Sequence, residues 1–362
     1  MTAADGFYIG VMSGTSLDAI DVVLLECGNT VVVHATHNHE LPEYLRQDIL
    51  ALCEPGINEI DRAGYLHRAL GELFAEAVLT LLANSDIAAE DIQAIGLHGQ
   101  TIRHRPGLKG FSLQLGCADV VVERTGIAVV TDFRNRDMVL GGQGAPLVPA
   151  FHRALWGSRT RCAVVNIGGM ANITLISEGD IETGFDTGPG NVLLDAWIQQ
   201  HQKKACDLDG RWAQSGNVQH DLLSKMLDEP YFRQPAPKST GRELFNLSWL
   251  QAHVGEESSA DVQATLLELT ATTIASSLNA LAPTEVLICG GGARNTALMQ
   301  RLTQLMEPVP VNPTDSAGLA AEWVEGAAFA WLAWARLAGI PGNAIRVTGA
   351  HREAVLGALY LP

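Results

Sequence analysis

Residues 7–26 read FYIGVMSGTSLDAIDVVLLE, and this stretch decides the fold. Residues 7–13 (FYIGVMS) and 20–26 (IDVVLLE) have the apolar, β-branched character of strands, and Gly14-Thr15-Ser16-Leu17-Asp18 between them carries turn chemistry. The pattern predicts a hairpin with a glycine and hydroxyls at its tip. The same grammar returns at 163–167 (AVVNI), a Gly168-Gly169-Met170-Ala171-Asn172 turn, and 173–177 (ITLIS), so two halves built on one plan are expected. Between the hairpins, Leu66, Leu70, Leu73, Phe74, Ala77 and Leu81 recur at helical spacing within 65–83, and 92–97 (IQAIGL) reads as a buried strand. After the second hairpin come helices over 191–202 and 262–281, a strand at 285–289 (EVLIC), Gly290-Gly291-Gly292, and a helix over 295–306. Such alternation of helix and strand is α/β. The segment 320–337, with Trp323, Phe329, Trp331 and Trp334, is apolar nearly all round and is expected to be buried between lobes or within one. Residues 231–241 (YFRQPAPKSTG), rich in breakers, read as a mobile loop.

The length of 362 residues favours two domains, and 47% hydrophobic against 18% charged residues excludes wholesale disorder. A net charge of −16 repels phosphate backbones and anionic lipid, which argues against nucleic-acid and membrane-surface partners. It leaves small anions open, because backbone N–H groups at turns supply local positive potential. Cys27, Cys53, Cys117, Cys162, Cys206 and Cys289 form no CxxC pair, which points to reduced thiols rather than a zinc site or disulfide framework. The opening MTAADGFYIG has no basic and apolar leader, and no uncharged apolar run reaches the length of a membrane span, so a cytoplasmic protein is expected.

The sequence contains no P-loop, no GxSxG elbow and no HExxH, and Asn295 breaks any dinucleotide fingerprint after Gly290. What stands out is three glycine turns, each directly after an apolar strand, at Gly14, at Gly168-Gly169 and at Gly290-Gly292. Any one alone is a tight turn; three together can grip a triphosphate from two sides and lie under a purine. The hydroxyls of Ser13, Thr15 and Ser16 would add phosphate contacts, and Asp18 would hold a hydrated Mg²⁺.

Eight segments then occur in the order seen in the anhydro-N-acetylmuramic acid kinase family, which the chain resembles over nearly its whole length. They are GVMSGTSLD (10–18), LHGQT (97–101), DFR (132–134), GGQGAPLVP (141–149), NIGG (166–169), GFDTGPGN (184–191), KSTGRE (238–243) and CGGGARN (289–295). The resemblance implies an α/β, two-lobed actin-like (ribonuclease H-like) fold with related lobes around a nucleotide cleft. It implies a first lobe of residues 1–130 plus about 340–362 and a second of 131–339. It further implies ATP and Mg²⁺ as cofactors, a bacterial role in peptidoglycan recycling, and a homodimer. ATP contacts are expected at Gly14, Thr15, Ser16, Leu17, Asp18, Asp21, Asn166, Gly168, Gly169, Gly291, Gly292 and Asn295. Sugar contacts are expected at Ser13, His98, Gln100, Arg134 and Glu325. The superfamily's early Asp beside the first glycine is missing from Val11-Met12-Ser13-Gly14, so Mg²⁺ is expected at Asp18 and mainly through water.

The implied substrate has an internal C1–O6 bridge, so O6 cannot attack phosphorus until water attacks C1. One carboxylate can draw the proton from that water while O6 attacks the γ-phosphorus. Asp186 takes this role by resemblance. It follows the strand-like 181–185, and the N-terminal N–H groups of the helix after Thr187-Gly188-Pro189-Gly190-Asn191 would orient its carboxylate or a nearby phosphate; on spacing alone it is equally a helix-entry Asp with only a capping role. Arg134 would fork onto the lactyl carboxylate, or else pair with Asp132 or Asp137. Glu325, in an apolar helix, meets a sugar hydroxyl or an internal cation. His98 is a sugar contact or a satisfied structural histidine, Gln100 binds sugar or orients water, and Lys238 and Arg242 bind phosphate or sit solvated. An ordinary carbohydrate kinase and an ATP-switched binding module of the actin or chaperone kind are the competing readings.

Overall fold

The computed structural model describes residues 5–14, 17, 19–28, 30–107 and 109–362. Two compact units divide the chain, residues 1–151 with 323–362 and residues 152–322. In the first unit, β1 (Gly6–Ser13) pairs antiparallel with β2 (Ala19–Cys27), and β2 with β3 (Val31–Glu40). On the other side of β1, β4 (Ile92–Arg105) runs parallel to it, and β5 (Phe111–Leu115) folds back antiparallel on β4. Then β6 (Val129–Thr131) lies parallel to β4. The hairpin read from 7–26 is therefore real and central.

The second unit repeats the arrangement. There β7 (Arg161–Ile167), β8 (Met170–Ser177) and β9 (Asp180–Pro189) form an antiparallel meander, with β10 (Glu285–Cys289) parallel to β7 and β11 (Val311–Pro313) parallel to β10. A last strand, β12 (Ala358–Tyr360), returns to the first sheet antiparallel to β6. Number the strands of each unit one to five, leaving out β5 and β12, and both sheets read third-second-first-fourth-fifth. Two halves on one plan, expected from the repeated strand, glycine turn and strand, are thus found in the hydrogen-bonded order itself.

Packing explains which helix serves which sheet. All six residues picked by helical spacing in 65–83 are buried on the Glu59–Ala83 helix, against the core that also holds Ile9, Val22 and Leu97. The helix Val324–Ala338 packs on β1, β2 and β4 of the first unit. Its approach is backbone to backbone: a Cβ on Gly10 would stand 1.9 Å from the Gly326 carbonyl, and one on Gly96 1.9 Å from that of Phe329. Only glycine permits such contact. This is why the chain passes back to the first unit at residue 323, whereas the sequence reading placed the boundaries at 130/131 and 339/340. In the second unit, the Ser259–Leu281 helix, capped by the Ser258 side chain on the Asp261 N–H, buries Leu266, Leu269, Ile274 and Leu278 in a core shared with Val165, Ile173 and Val286.

Candidate functional site

Each unit gathers one set of functional groups, and each set sits where a strand is interrupted. In the first unit β1 and β4 pair Val11 with Leu97 and then Ser13 with Gln100, so β4 carries one extra residue at His98-Gly99. Gly99 has φ +76°, a backbone that side-chain-bearing residues avoid. The irregularity brings Ser13 and Gln100 together: the buried Ser13 hydroxyl donates to Gln100 Oε1 at 2.6 Å, and the Gln100 amide donates to the Thr101 carbonyl.

Around His98 the groups expected to meet the sugar converge. Arg134 donates to the Gly144 carbonyl at 2.8 Å and to His98 Nε2 at 2.7 Å. Because an arginine N–H must donate, His98 Nε2 accepts and the ring proton lies on Nδ1, a buried atom with no partner. Burial, reinforced by the adjacent guanidinium, holds the His98 pKa well below the usual histidine range, so the ring is neutral. Arg134 forms no ion pair with Asp132 or Asp137 among the described residues: Asp132 accepts from Asn135, and Asp137 from the Gly144 N–H, Asn343 and Thr348. Its Nε is buried without a partner, and burial lowers its pKa to about 10 against the attraction of Glu325. Glu325 stands one turn before Phe329, whose ring lies 4.6 Å from His98 between centroids. Ser13, His98, Gln100, Arg134 and Glu325 all belong to the first unit. Sequence reasoning missed a neighbour of this set: His104 on β4, bonded to Ser112 of β5 and brought to a pKa of about 4 by burial and Arg134.

The second unit holds Asp186. It lies inside β9, opposite Asn172, beside a bulge at Thr187. The strand runs on to Pro189, so the capping role and the orientation by a helix N-terminus considered for it are not what the structure shows; the helix begins at Val192 with Asn191 before it. Instead the Thr240 N–H donates to Asp186 Oδ2 at 3.0 Å, while the Tyr231 hydroxyl donates to the Asp186 carbonyl at 2.7 Å. Burial, with a smaller push from Glu243, raises the carboxyl pKa to about 6 against the Thr240 hydrogen bond. Lys238 is not a solvated charge: its ammonium donates to the carbonyls of Tyr231 and Phe232.

The glycines fall into two kinds. A Cβ on Gly290 would meet Asn166 Oδ1 at 2.3 Å, and one on Gly292 would meet the Ile167 side chain at 2.3 Å, so both are demanded by packing. At Gly168, Gly169 and Gly291 a Cβ would meet nothing closer than 3.7, 4.0 and 3.8 Å. A methyl would therefore fit at each in ordinary van der Waals contact, so packing does not demand glycine there. Asn295 uses its side-chain oxygen to cap the Thr296–Met306 helix through the Leu298 N–H, a structural task for a residue expected at ATP. In the first unit the Leu17 side chain is buried in the core at φ +60°, which leaves only its backbone for a ligand. Asp21 accepts from Asn38 on the neighbouring strand. Gly14 directly follows β1, and Thr15, Ser16 and Asp18 lie outside the described residues. The described residues contain no group of three or more His, Cys, Asp or Glu able to hold a metal, and no helix long and apolar enough to cross a membrane.

Two sheets of one strand order, joined in a single chain, define an α/β protein of the actin-like, ribonuclease H-like class. Residues 6–362 match the family model for anhydro-N-acetylmuramic acid kinase, and the chain belongs to that family. Among similar proteins, the anhydro-N-acetylmuramic acid kinase of Pseudomonas syringae pathovar tomato is 51% identical, over 98% of this chain and 99% of that one. That of Saccharophagus degradans is 50% identical, over 98% and 99%. Among solved structures, component A of (R)-2-hydroxyglutaryl-CoA dehydratase from Acidaminococcus fermentans aligns over 92% of this chain and 99% of its own, at 12% identity and a TM-score of 0.49. As a member of a kinase family the protein is an enzyme, a phosphotransferase.

Proposed function

We propose that the protein uses ATP and water to convert 1,6-anhydro-N-acetylmuramic acid into N-acetylmuramate 6-phosphate and ADP, a step of peptidoglycan recycling in the cytoplasm. The observation that carries this reading is the family match over residues 6–362; the geometry supplies roles that fit the chemistry. In the first unit, Arg134 holds the lactyl carboxylate: a buried guanidinium with no carboxylate in hydrogen-bond contact among the described residues and an unpartnered Nε is prepared for an anion. The unpartnered His98 Nδ1–H and the Ser13–Gln100 pair offer neutral donors and acceptors to sugar hydroxyls or the acetamido group, and Glu325 accepts from a hydroxyl. In the second unit, Gly168, Gly169 and Gly291 let a nucleotide approach the backbone.

Asp186 is the base. With Oδ2 engaged by Thr240, Oδ1 receives no hydrogen bond among the described residues and takes the proton from water. The oxygen of that water bonds to C1, the C1–O6 bond breaks, O6 bonds to the γ-phosphorus, and the bond from phosphorus to the ADP oxygen breaks. A carboxyl of pKa about 6 is ionised at neutral pH and still basic enough to accept a proton there. Mg²⁺, when bound, neutralises phosphate charge; Asp18 and water are the proposed holders, consistent with an ion that needs few protein carboxylates. The same reading takes the protein as a homodimer, which sedimentation tests. Turnover in ¹⁸O-labelled water tests the reaction: the product gains one phosphate and one water, with label at C1. Label absent from C1 would mean an ordinary carbohydrate kinase, and ATP hydrolysis indifferent to the sugar would mean an ATP-switched module.

A further inference from the structure

The segment that reads as a mobile loop, 231–241, is tied to Asp186 at three points. The Tyr231 hydroxyl donates to the Asp186 carbonyl, the Asp186 N–H donates to the Lys238 carbonyl at 3.0 Å, and the Thr240 N–H donates to the carboxylate. One end is anchored by packing: Tyr231 is 3% exposed and meets Phe245 edge-on at 5.8 Å between centroids. At the other end the Lys238 carbonyl accepts from the Asp186 N–H and the Gly241 carbonyl from the Leu244 and Phe245 N–H groups, and a side chain ties this end back to the first. Lys238 Nζ reaches back to donate to the Tyr231 carbonyl at 3.1 Å and the Phe232 carbonyl at 3.2 Å, and sits 4.6 Å from the Tyr231 ring centroid. Two carbonyls and an aromatic face hold an ammonium that burial would otherwise penalise. The tether closes residues 231–238 into a ring, and the Thr240 N–H lies two residues beyond its closing point.

We propose that Lys238 is a positioning residue that latches this segment and so keeps the Thr240 N–H on Asp186 Oδ2, setting both the orientation and the charge state of the catalytic carboxylate. The inference rests on the reading of Asp186 as the base. The residue opposite Asp186 on the neighbouring strand is the uncharged Asn172, and the titratable groups of residues 231–243 are Tyr231, Arg233, Lys238, Arg242 and Glu243, with Arg233 bonded to Asp228. Of these, Glu243 disfavours the carboxylate, and the Thr240 N–H is the contact that favours it. Losing that donor raises the carboxyl pKa further, so a higher pH is needed to ionise the base.

The test is the pH dependence of kcat/KM for anhydro-N-acetylmuramic acid with the full chain. Lys238→Met is expected to move the acid limb upward by about one pH unit and to lower activity at pH 6 by about fivefold, with KM for ATP unchanged. Lys238→Arg, which keeps donors to the carbonyls, is expected to restore the native limb. A Lys238→Met enzyme whose acid limb stays in place overturns the latch, whatever its kcat, since a merely structural role changes amount or stability and not the profile. Should Lys238→Met not fold, Lys238→Gln keeps one donor and is read the same way. Asp186→Asn separates the two claims: if it retains turnover, the base reading falls; if it is dead while the limb of the Lys238 variants does not move, only the latch falls.

Discussion

The two sheets share one strand order and use it for different ends, and their third strands show the difference best. In the first sheet β3 lies at the edge, none of its residues fully buried, alternating between half-buried and exposed positions. In the second sheet β9 occupies the same place, yet most of it is buried, and it carries Asp186 at a bulge. A solvated edge leaves a carboxylate near its ordinary pKa, whereas a covered edge raises it into the range of a general base. The covering element is the segment after Tyr231. Glycines divide in the same way: in the first unit Gly10, Gly96 and Gly326 bring a helix onto the sheet, while in the second Gly168, Gly169 and Gly291 stand where a methyl would fit without a clash. The shared topology fixes where strands end; the cover on each strand decides what its residues can do.

The largest effect expected from breaking this contrast is at Asp186. Asp186→Asn keeps the shape but cannot take a proton, and kcat is expected to fall by about 10³-fold or more, with ATP affinity retained by calorimetry. Its stability should move the other way. Because the folded carboxyl has a pKa near 6 against an ordinary 3.8, the native protein loses stability from this group as pH rises through that window. The neutral variant is therefore expected to be more stable above pH 6, by about 1 kcal/mol after allowing for partial exposure, with the advantage gone by about pH 4. Urea denaturation at both pH values measures it. A variant less stable at pH 7 and unchanged at pH 4 would mean that the carboxylate is satisfied in the fold rather than held at a cost.

Next comes the packing glycine. Gly96→Ala would push a methyl into the Phe329 carbonyl, and a loss of about 3 kcal/mol or more is expected in denaturant titration. Since Phe329 packs on His98, the sugar site should suffer with the fold. This contact was half legible in the sequence. An all-apolar helix had to be buried, but nothing in its composition said against which sheet; the signal was the glycine inside each of two strands, where glycine weakens a strand unless a backbone approaches. The hairpins were legible because β-branched runs flank a glycine turn, and the Glu59–Ala83 helix because one apolar stripe repeats at helical spacing. The course of β9 past Asp186 was not, since GFDTGP carries the glycines and proline of a turn. Nor was the Thr240 contact, because a backbone N–H has no residue signature at all. Arg134 was legible as a type but not as a partner: only the structure shows Asp132 and Asp137 engaged elsewhere.

That partner question yields a third test. If Arg134 is prepared for the lactyl carboxylate, Arg134→Lys keeps the charge but loses the fork, and KM for the sugar is expected to rise by about 100-fold with KM for ATP unchanged. An analogue lacking the lactyl carboxylate should be equally poor with both proteins. If Arg134→Lys instead lowers kcat for that analogue as well, the guanidinium acts on the sugar ring or holds the Gly144 loop through the bond to its carbonyl.

The smallest effect tests the second kind of glycine. A Cβ at Gly168 would meet nothing nearer than the Met170 carbonyl at 3.7 Å, and φ there lies outside the left-handed region, so the fold does not require glycine at this position. Gly168→Ala is accordingly expected to leave the melting temperature within about one degree of the parent protein. If the space is filled by phosphate oxygens against backbone N–H groups, the added methyl stands where the ligand must approach, and KM for ATP should rise by about tenfold with KM for the sugar unchanged. Gly292→Ala is the control from the same unit: its methyl meets Ile167, so it should lose stability whether or not ATP is present. A Gly168→Ala protein with native affinity for ATP would move the nucleotide away from this turn.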